Sequence, residues 1–193
     1  EIKSSKLFCF IAFHTLERKL NNQQTEKSLI KQIPAVKMPL FVTYHIDGDD
    51  LRGCIGNLGG LNIQEGIPQY ALIAALQDHR FSPIKKAELS RLNIAVSLLI
   101  NYQEAKDAIS WEVGKHGIMI EYKGRSGTFL PEVAQEQGWD QRTTLKNLLR
   151  KAGINEGLSD QLLKEIKCTT YESSKEVLTW AEYLQMKKDL KID

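Results

Sequence analysis

Two β-prone runs, Leu40–Ile46 and Leu51–Leu58, are separated only by Asp47-Gly48-Asp49-Asp50. So short a link cannot carry a parallel crossover, which takes a dozen or more residues, and Gly and Asp tolerate the positive φ that tight turns demand. The chain therefore contains an antiparallel hairpin. Further strands are predicted over Asn93–Ile100 and Gly117–Lys123, with a short fifth at Thr128–Leu130 after the turn Lys123-Gly124-Arg125-Ser126-Gly127. Ser4 or Ser5 caps a first helix through Leu20, and a short helix fits Lys27–Gln32. Asn62 and Glu65 mark the start of a helix ending near Asp78, which Pro68 should kink or delay. After Pro131 the texture turns helical: Glu132–Gln137 stopped by Gly138, Thr143–Lys151 stopped by Gly153, and Ser159–Leu163. Ile166–Tyr171 and Val177–Tyr183 form either a closing hairpin or a strand followed by a helix.

Hairpin strands with one helix between them, and helices gathered later, point to an α+β fold with a mainly antiparallel sheet flanked by helices. At 193 residues one domain is expected across 1–193. Its larger α+β lobe spans about 1–130 and 164–193, and its smaller helical lobe about 131–163.

Charge and cysteine usage narrow the function classes. Against 24 acidic residues stand 26 Lys and Arg, and the resulting +2 is too small for the broad positive field of a nonspecific nucleic-acid binder. Cys9, Cys54 and Cys168 fit neither a disulfide framework nor a zinc ribbon, which favours a reducing, intracellular compartment. No apolar run is long enough to span a bilayer, and the N-terminus lacks a signal-peptide cleavage pattern, so no membrane role is expected. Histidines and cysteines fall at no metal-ligand spacing, and phosphate-loop and dinucleotide-binding patterns are missing, so no metal or cofactor is predicted.

The most unusual local sequence is Leu51-Arg52-Gly53-Cys54-Ile55-Gly56-Asn57-Leu58-Gly59-Gly60. Strand alternation places Arg52, Cys54, Gly56 and Leu58 on one face, with guanidinium beside thiol. A neighbouring cation favours the thiolate, and Gly53 and Gly56 leave room for a ligand or another backbone. Gly59-Gly60 ahead of a helix start also offers amides to an anion. The same letters also read as a small buried cysteine in a crowded sheet, the more ordinary role of an unpaired intracellular cysteine. Asp78-His79-Arg80-Phe81-Ser82-Pro83 clusters an acid and a permanent cation at a turn, suited either to clamping a carboxylate or phosphate or to a surface ion pair. His116, between Gly114 and Gly117, is the best general-base candidate, or else a polar turn residue. Lys146, Arg150 and Lys151 complement a helix dipole and read as a solvated face.

The Leu51–Gly56 segment resembles the AMMECR family, named for the Alport syndrome, midface hypoplasia and elliptocytosis chromosomal region. Pro39–Thr43, Asp78-x-Arg80-Phe81-x-Pro83, Val96–Leu99, Trp111-Glu112-Val113-Gly114-x-His116-Gly117-Ile118, Phe129–Asp140 and Leu148–Gly153 follow in the family's order. The wording of Pro131–Asp140 looks like the eukaryotic branch. The resemblance implies an α+β domain with two unequal lobes and the Arg-Gly-Cys segment near the cleft between them. Microbial relatives resemble partners of a dioxygenase-like protein and a radical S-adenosylmethionine protein, and eukaryotic members are linked to the nucleus. Together these readings suggest a site for a small anionic ligand or a peptide. Cys54 and His116 would be its catalytic residues, and Arg52, Gly53, Gly56, Asp78 and Arg80 would bind the ligand. The alternative is a noncatalytic interaction module, in the cytoplasm or the nucleus.

Overall fold

The computed structural model describes residues 1–193. It is an α+β protein whose six strands form one sheet in the order β2-β1-β3-β6-β4-β5. The strands are β1 Lys37–Ile46, β2 Asp50–Asn62, β3 Leu92–Glu104, β4 Gly117–Tyr122, β5 Arg125–Phe129 and β6 Lys167–Thr179. The helices are α1 Lys6–Leu20, α2 Lys27–Ile30, α3 Ile63–Leu76, α4 Pro131–Gln137, α5 Gln141–Lys151, α6 Asp160–Glu165 and α7 Trp180–Leu190. The chain divides into two compact units, Glu1–Leu98 with Ser174–Asp193, and Leu99–Ser173.

In the first unit β1 pairs antiparallel with both β2 and β3. Asp47 (φ 52°) and Gly48 (φ 100°) make the hairpin turn, the two successive positive φ values that match strand twist. Leu40, Val42 and Tyr44 are buried and stand opposite Leu98, Val96 and Ile94, also buried, so these residues share the core face. Helices α1 and α3 cover that face. Tyr44 meets the Phe13 ring of α1 edge-on at 6.4 Å and donates from its hydroxyl to Ala71 O of α3 at 2.9 Å. Ser5 caps α1 by accepting from Phe8 N, and Phe8 through Leu16 are all buried. Around His14, Phe10, Phe13, Trp180 and Tyr183 form an aromatic cluster.

In the second unit β4 pairs antiparallel with β5 and β6. Trp111, Ile118, Ile120, Leu145, Leu148 and Cys168 anchor its core. Gly138 ends α4 in the left-handed region at φ 66°, and Asp140 caps α5 by accepting from Thr143 N. The 131–163 stretch, read from texture as a helical lobe, lies inside this unit together with strands.

Several local expectations need correction. The turn after β4 is only Lys123-Gly124, both at positive φ, so β5 begins at Arg125 and not at Thr128. Strand β2 runs on through Gly59 and Gly60 to Asn62, because Met38 and Lys37 supply partners for Leu61 and Asn62. Helix α3 is one continuous element containing Pro68 and ends at Leu76, two residues early. Of the two readings left open after Ile166, the structure has the strand followed by a helix, β6 leading into α7 with Thr179 and Glu182 forming a capping box at its start.

Candidate functional site

Arg52, Gly53, Cys54 and Gly56 lie on β2, at one end of the sheet. Cys54 stands opposite Thr43, and Gly56 opposite Phe41. Thr43 and Phe41 in turn face Ala95 and Ser97. These residues share the sheet face opposite α1 and α3. There the Cys54 sulfur lies 3.0 Å from Thr43 Oγ1. Cys54 is half-buried, whereas Cys9 and Cys168 are buried and burial pushes each of their thiols up to about 12.

An edge residue of an antiparallel strand sends its N–H and C=O either both toward its neighbour or both away. At Cys54 both point outward, and both are bound by the Asp78-x-Arg80 segment. Cys54 N donates to Asp78 Oδ2 at 2.9 Å, and Arg80 Nη2 donates to Cys54 O at 3.2 Å. Arg80 also grips Asp78 through Nε at 3.0 Å and Nη2 at 2.8 Å, and Arg80 N donates to Asp78 Oδ1 at 3.2 Å. The Asp78 side chain is 4% exposed and that of Arg80 59%. The Arg80 guanidinium holds the Asp78 carboxyl far below the usual carboxylate range, against burial and with help from the Cys54 and Arg80 amides. The pair thus does for Cys54 what an adjacent strand would do, closing a piece of an otherwise open sheet edge.

Arg52 is engaged elsewhere. The register slips between Tyr44 and His45, which face Gly53 and Leu51, so Arg52 is the extra residue of a bulge and escapes the strand alternation. Its guanidinium donates through Nε to Glu88 Oε1 at 2.8 Å, through Nη2 to Glu88 Oε2 at 3.2 Å, and through Nη1 to Ser82 O at 2.7 Å. Glu88 sits on a 3-10 helix, Lys86–Arg91, and also accepts from Lys85 N at 2.7 Å. Its carboxyl is shifted down, chiefly by Arg52. The fork-to-fork pair leaves little of Arg52 to offer an external anion.

The two glycines serve close packing. A Cβ on Gly53 would lie 2.2 Å from Ala74 O, so glycine is what lets α3 approach β2. A Cβ on Gly56 would fall 2.2 Å from the Phe41 ring, which lies over it. The helix start after Gly60 is occupied too: Gly59 N donates to Asn57 Oδ1 at 2.9 Å and Gln64 N to Asn62 Oδ1 at 3.1 Å. His116 belongs to the second unit, where its Nδ1 accepts from Glu112 N at 3.0 Å and closes the turn ahead of β4. The structure thus gathers Cys54, Asp78 and Arg80 into one cluster, with Arg52 bound beside it to Glu88. Glu88, Ser82 and Thr43 were not singled out by sequence. No three His, Cys, Asp or Glu side chains gather into a metal-holding group, and no helix is long and apolar enough to cross a membrane.

A family model described as AMMECR1 matches residues 9–176. The chain belongs to this family. An uncharacterized protein of Arabidopsis thaliana is 36% identical over 97% of this chain and 91% of its own length. One from Saccharomyces cerevisiae is 34% identical over the same shares, and one from Kluyveromyces lactis is 41% identical over 76% and 74%. Among solved structures, that of an uncharacterized protein from Pyrococcus horikoshii resembles this chain with a TM-score of 0.68 at 25% identity, covering 91% of this chain and 93% of that one.

Proposed function

We propose that this AMMECR1-family domain is a noncatalytic protein-interaction module, and that its Arg-Gly-Cys and Asp-x-Arg segments serve architecture. One observation carries this reading: both guanidinium groups near Cys54 are bound by carboxylates of the same fold, Arg52 by Glu88 and Arg80 by Asp78. A nucleophilic cysteine needs a base within hydrogen-bond reach or an uncompensated cation beside it. The hydrogen-bond neighbour of the Cys54 sulfur is the Thr43 hydroxyl, which is neither.

A second reading, a reactive thiol beside a small anionic ligand, draws on two facts. Cys54 is the one cysteine that is not buried, and the Arg80 head is exposed. Iodoacetamide alkylation of the native protein, resolved by peptide, separates the two. The interaction reading expects Cys54 to react at pH 6.5 no faster than cysteines of the denatured chain. A native rate about tenfold above the denatured one, abolished by Arg80→Ala, would establish an activated thiol and overturn it.

A further inference from the structure

Helix α5 presents two different faces. Thr144, Leu145, Leu148 and Leu149 are buried, while Arg142, Lys146 and Arg150 are exposed at successive four-residue steps, about 6 Å apart along the helix. None of these three has a carboxylate within ion-pair distance. Beside them the loop after Gly153 folds back to form a groove of about 350 Å³, in which Lys146 and Arg150 flank a floor of Leu149, Ile154 and Leu158. Glu156 of that loop also lines the groove, but its carboxylate is taken by Lys123 Nζ at 2.6 Å and the Tyr122 hydroxyl at 2.7 Å, and Asp140 at the cap of α5 acts on Arg142 and Lys146 only through space, so no carboxylate pairs directly with the groove's cations. Arg125, also without an ion pair, reaches across Gly153 from β5, with Nη1 2.5 Å from where a Cβ would sit. Glycine at φ 71° is what allows this approach.

We infer that this groove docks an extended acidic segment with apolar residues at alternate positions. This deepens the interaction reading above and rests on it. Alternate residues of an extended chain repeat at about 6.8 Å, close to the spacing of the α5 cations, so carboxylates meet Arg142, Lys146 and Arg150. The residues between them turn the other way, and the apolar floor receives them. A nucleic acid would satisfy the cations but would leave that floor without a match, and no exposed aromatic ring lines the groove to stack a base.

The test is fluorescence anisotropy with a labelled Asp-Leu repeat peptide, an Asp-Ser repeat of equal charge, and an oligothymidylate of equal charge. The Asp-Leu repeat is expected to bind most tightly and to weaken as salt rises. The double reversal Lys146→Glu with Arg150→Glu is expected to cut its affinity about tenfold while leaving the melting temperature unchanged. Should the reversal disturb folding, Lys146→Ala with Arg150→Ala gives the same direction with a smaller effect. Absence of Asp-Leu binding, equal binding of the two peptides, tighter binding of the oligothymidylate, or indifference to both double variants would each overturn the proposal. Cys54→Ser is expected to bind the peptide like the parent. An inert Cys54 without peptide binding would remove this groove and leave the broader reading standing, whereas an activated thiol would remove that reading itself.

Discussion

Replacing Asp78 by alanine would remove the carboxylate that closes the β2 edge at Cys54. The half-buried Cys54 N–H would lose its acceptor, and an amide left unsatisfied costs about 1–3 kcal/mol. The ion pair with Arg80 adds little, because that head is 59% exposed and screened by water; a pair of this kind contributes about 0–1 kcal/mol. The turn formed by Arg80 N and Asp78 would loosen as well. The sum is about 1–4 kcal/mol, which for a chain of this length lowers the melting temperature by about 3–12 °C. Asp78→Asn should cost about half as much, since its amide oxygen can still accept from Cys54 N but the two-pronged grip of Arg80 is lost. Urea titration of both variants measures these changes. A loss below about 0.5 kcal/mol for Asp78→Ala, or an asparagine variant as damaged as the alanine one, would refute the edge-closure argument.

Three other perturbations probe different parts of the molecule. Gly53→Ala places a methyl 2.2 Å from Ala74 O, a backbone atom that cannot swing away, so urea unfolding should show a loss of about 3 kcal/mol. Gly124→Ala meets nothing within 4 Å and should cost only the left-handed backbone penalty at φ 75°, about 1 kcal/mol by the same measurement. Acid should weaken the α1 region. Burial opposes ionisation of Glu26, but hydrogen bonds from Arg18 and His14 hold its carboxyl at about 2, below its ordinary 4.5. A depressed carboxylate contributes stability above about pH 4.5 and loses it as pH falls toward 2. Burial also lowers the pKa of His14, despite Glu26, so its contribution is complete above pH 6.5 and declines below. Urea midpoints should therefore fall steadily from pH 7 to pH 3, and Glu26→Gln should flatten the lower part of that slope.

Features with a local cause were legible in the sequence. Asp47-Gly48 makes the β1–β2 turn, Ser5 caps α1, and Gly138 and Gly153 stop helices, because in each case the residue bonds or bends within a few positions of itself. The edge clamp was half legible. Asp78 and Arg80 stood out as an acid and a cation at one turn, but their target, the main chain of Cys54, lies 24 and 26 positions away. Arg52 was misplaced for a similar reason. Strand alternation put it beside the thiol, yet alternation fails at a bulge, and the bulge is matched to Glu88, 36 positions further on. The two glycines announced a close approach without saying of what; the answers are the Ala74 carbonyl and the Phe41 ring. After Ile166 the hairpin and the strand-then-helix differ in one local signal, the Thr179–Glu182 capping box that starts α7.

The central claim is that Asp78 and Arg80 stand in for a strand at the outer edge of β2. Residue-resolved amide hydrogen exchange tests it most directly, by comparing Cys54 with Gly56, the next outward-facing residue of the same edge strand. Cys54 N–H should exchange only through large-scale unfolding, like the amides paired between β1 and β3, while Gly56 N–H exchanges by local fluctuation. Equal, rapid exchange at both amides would contradict the claim.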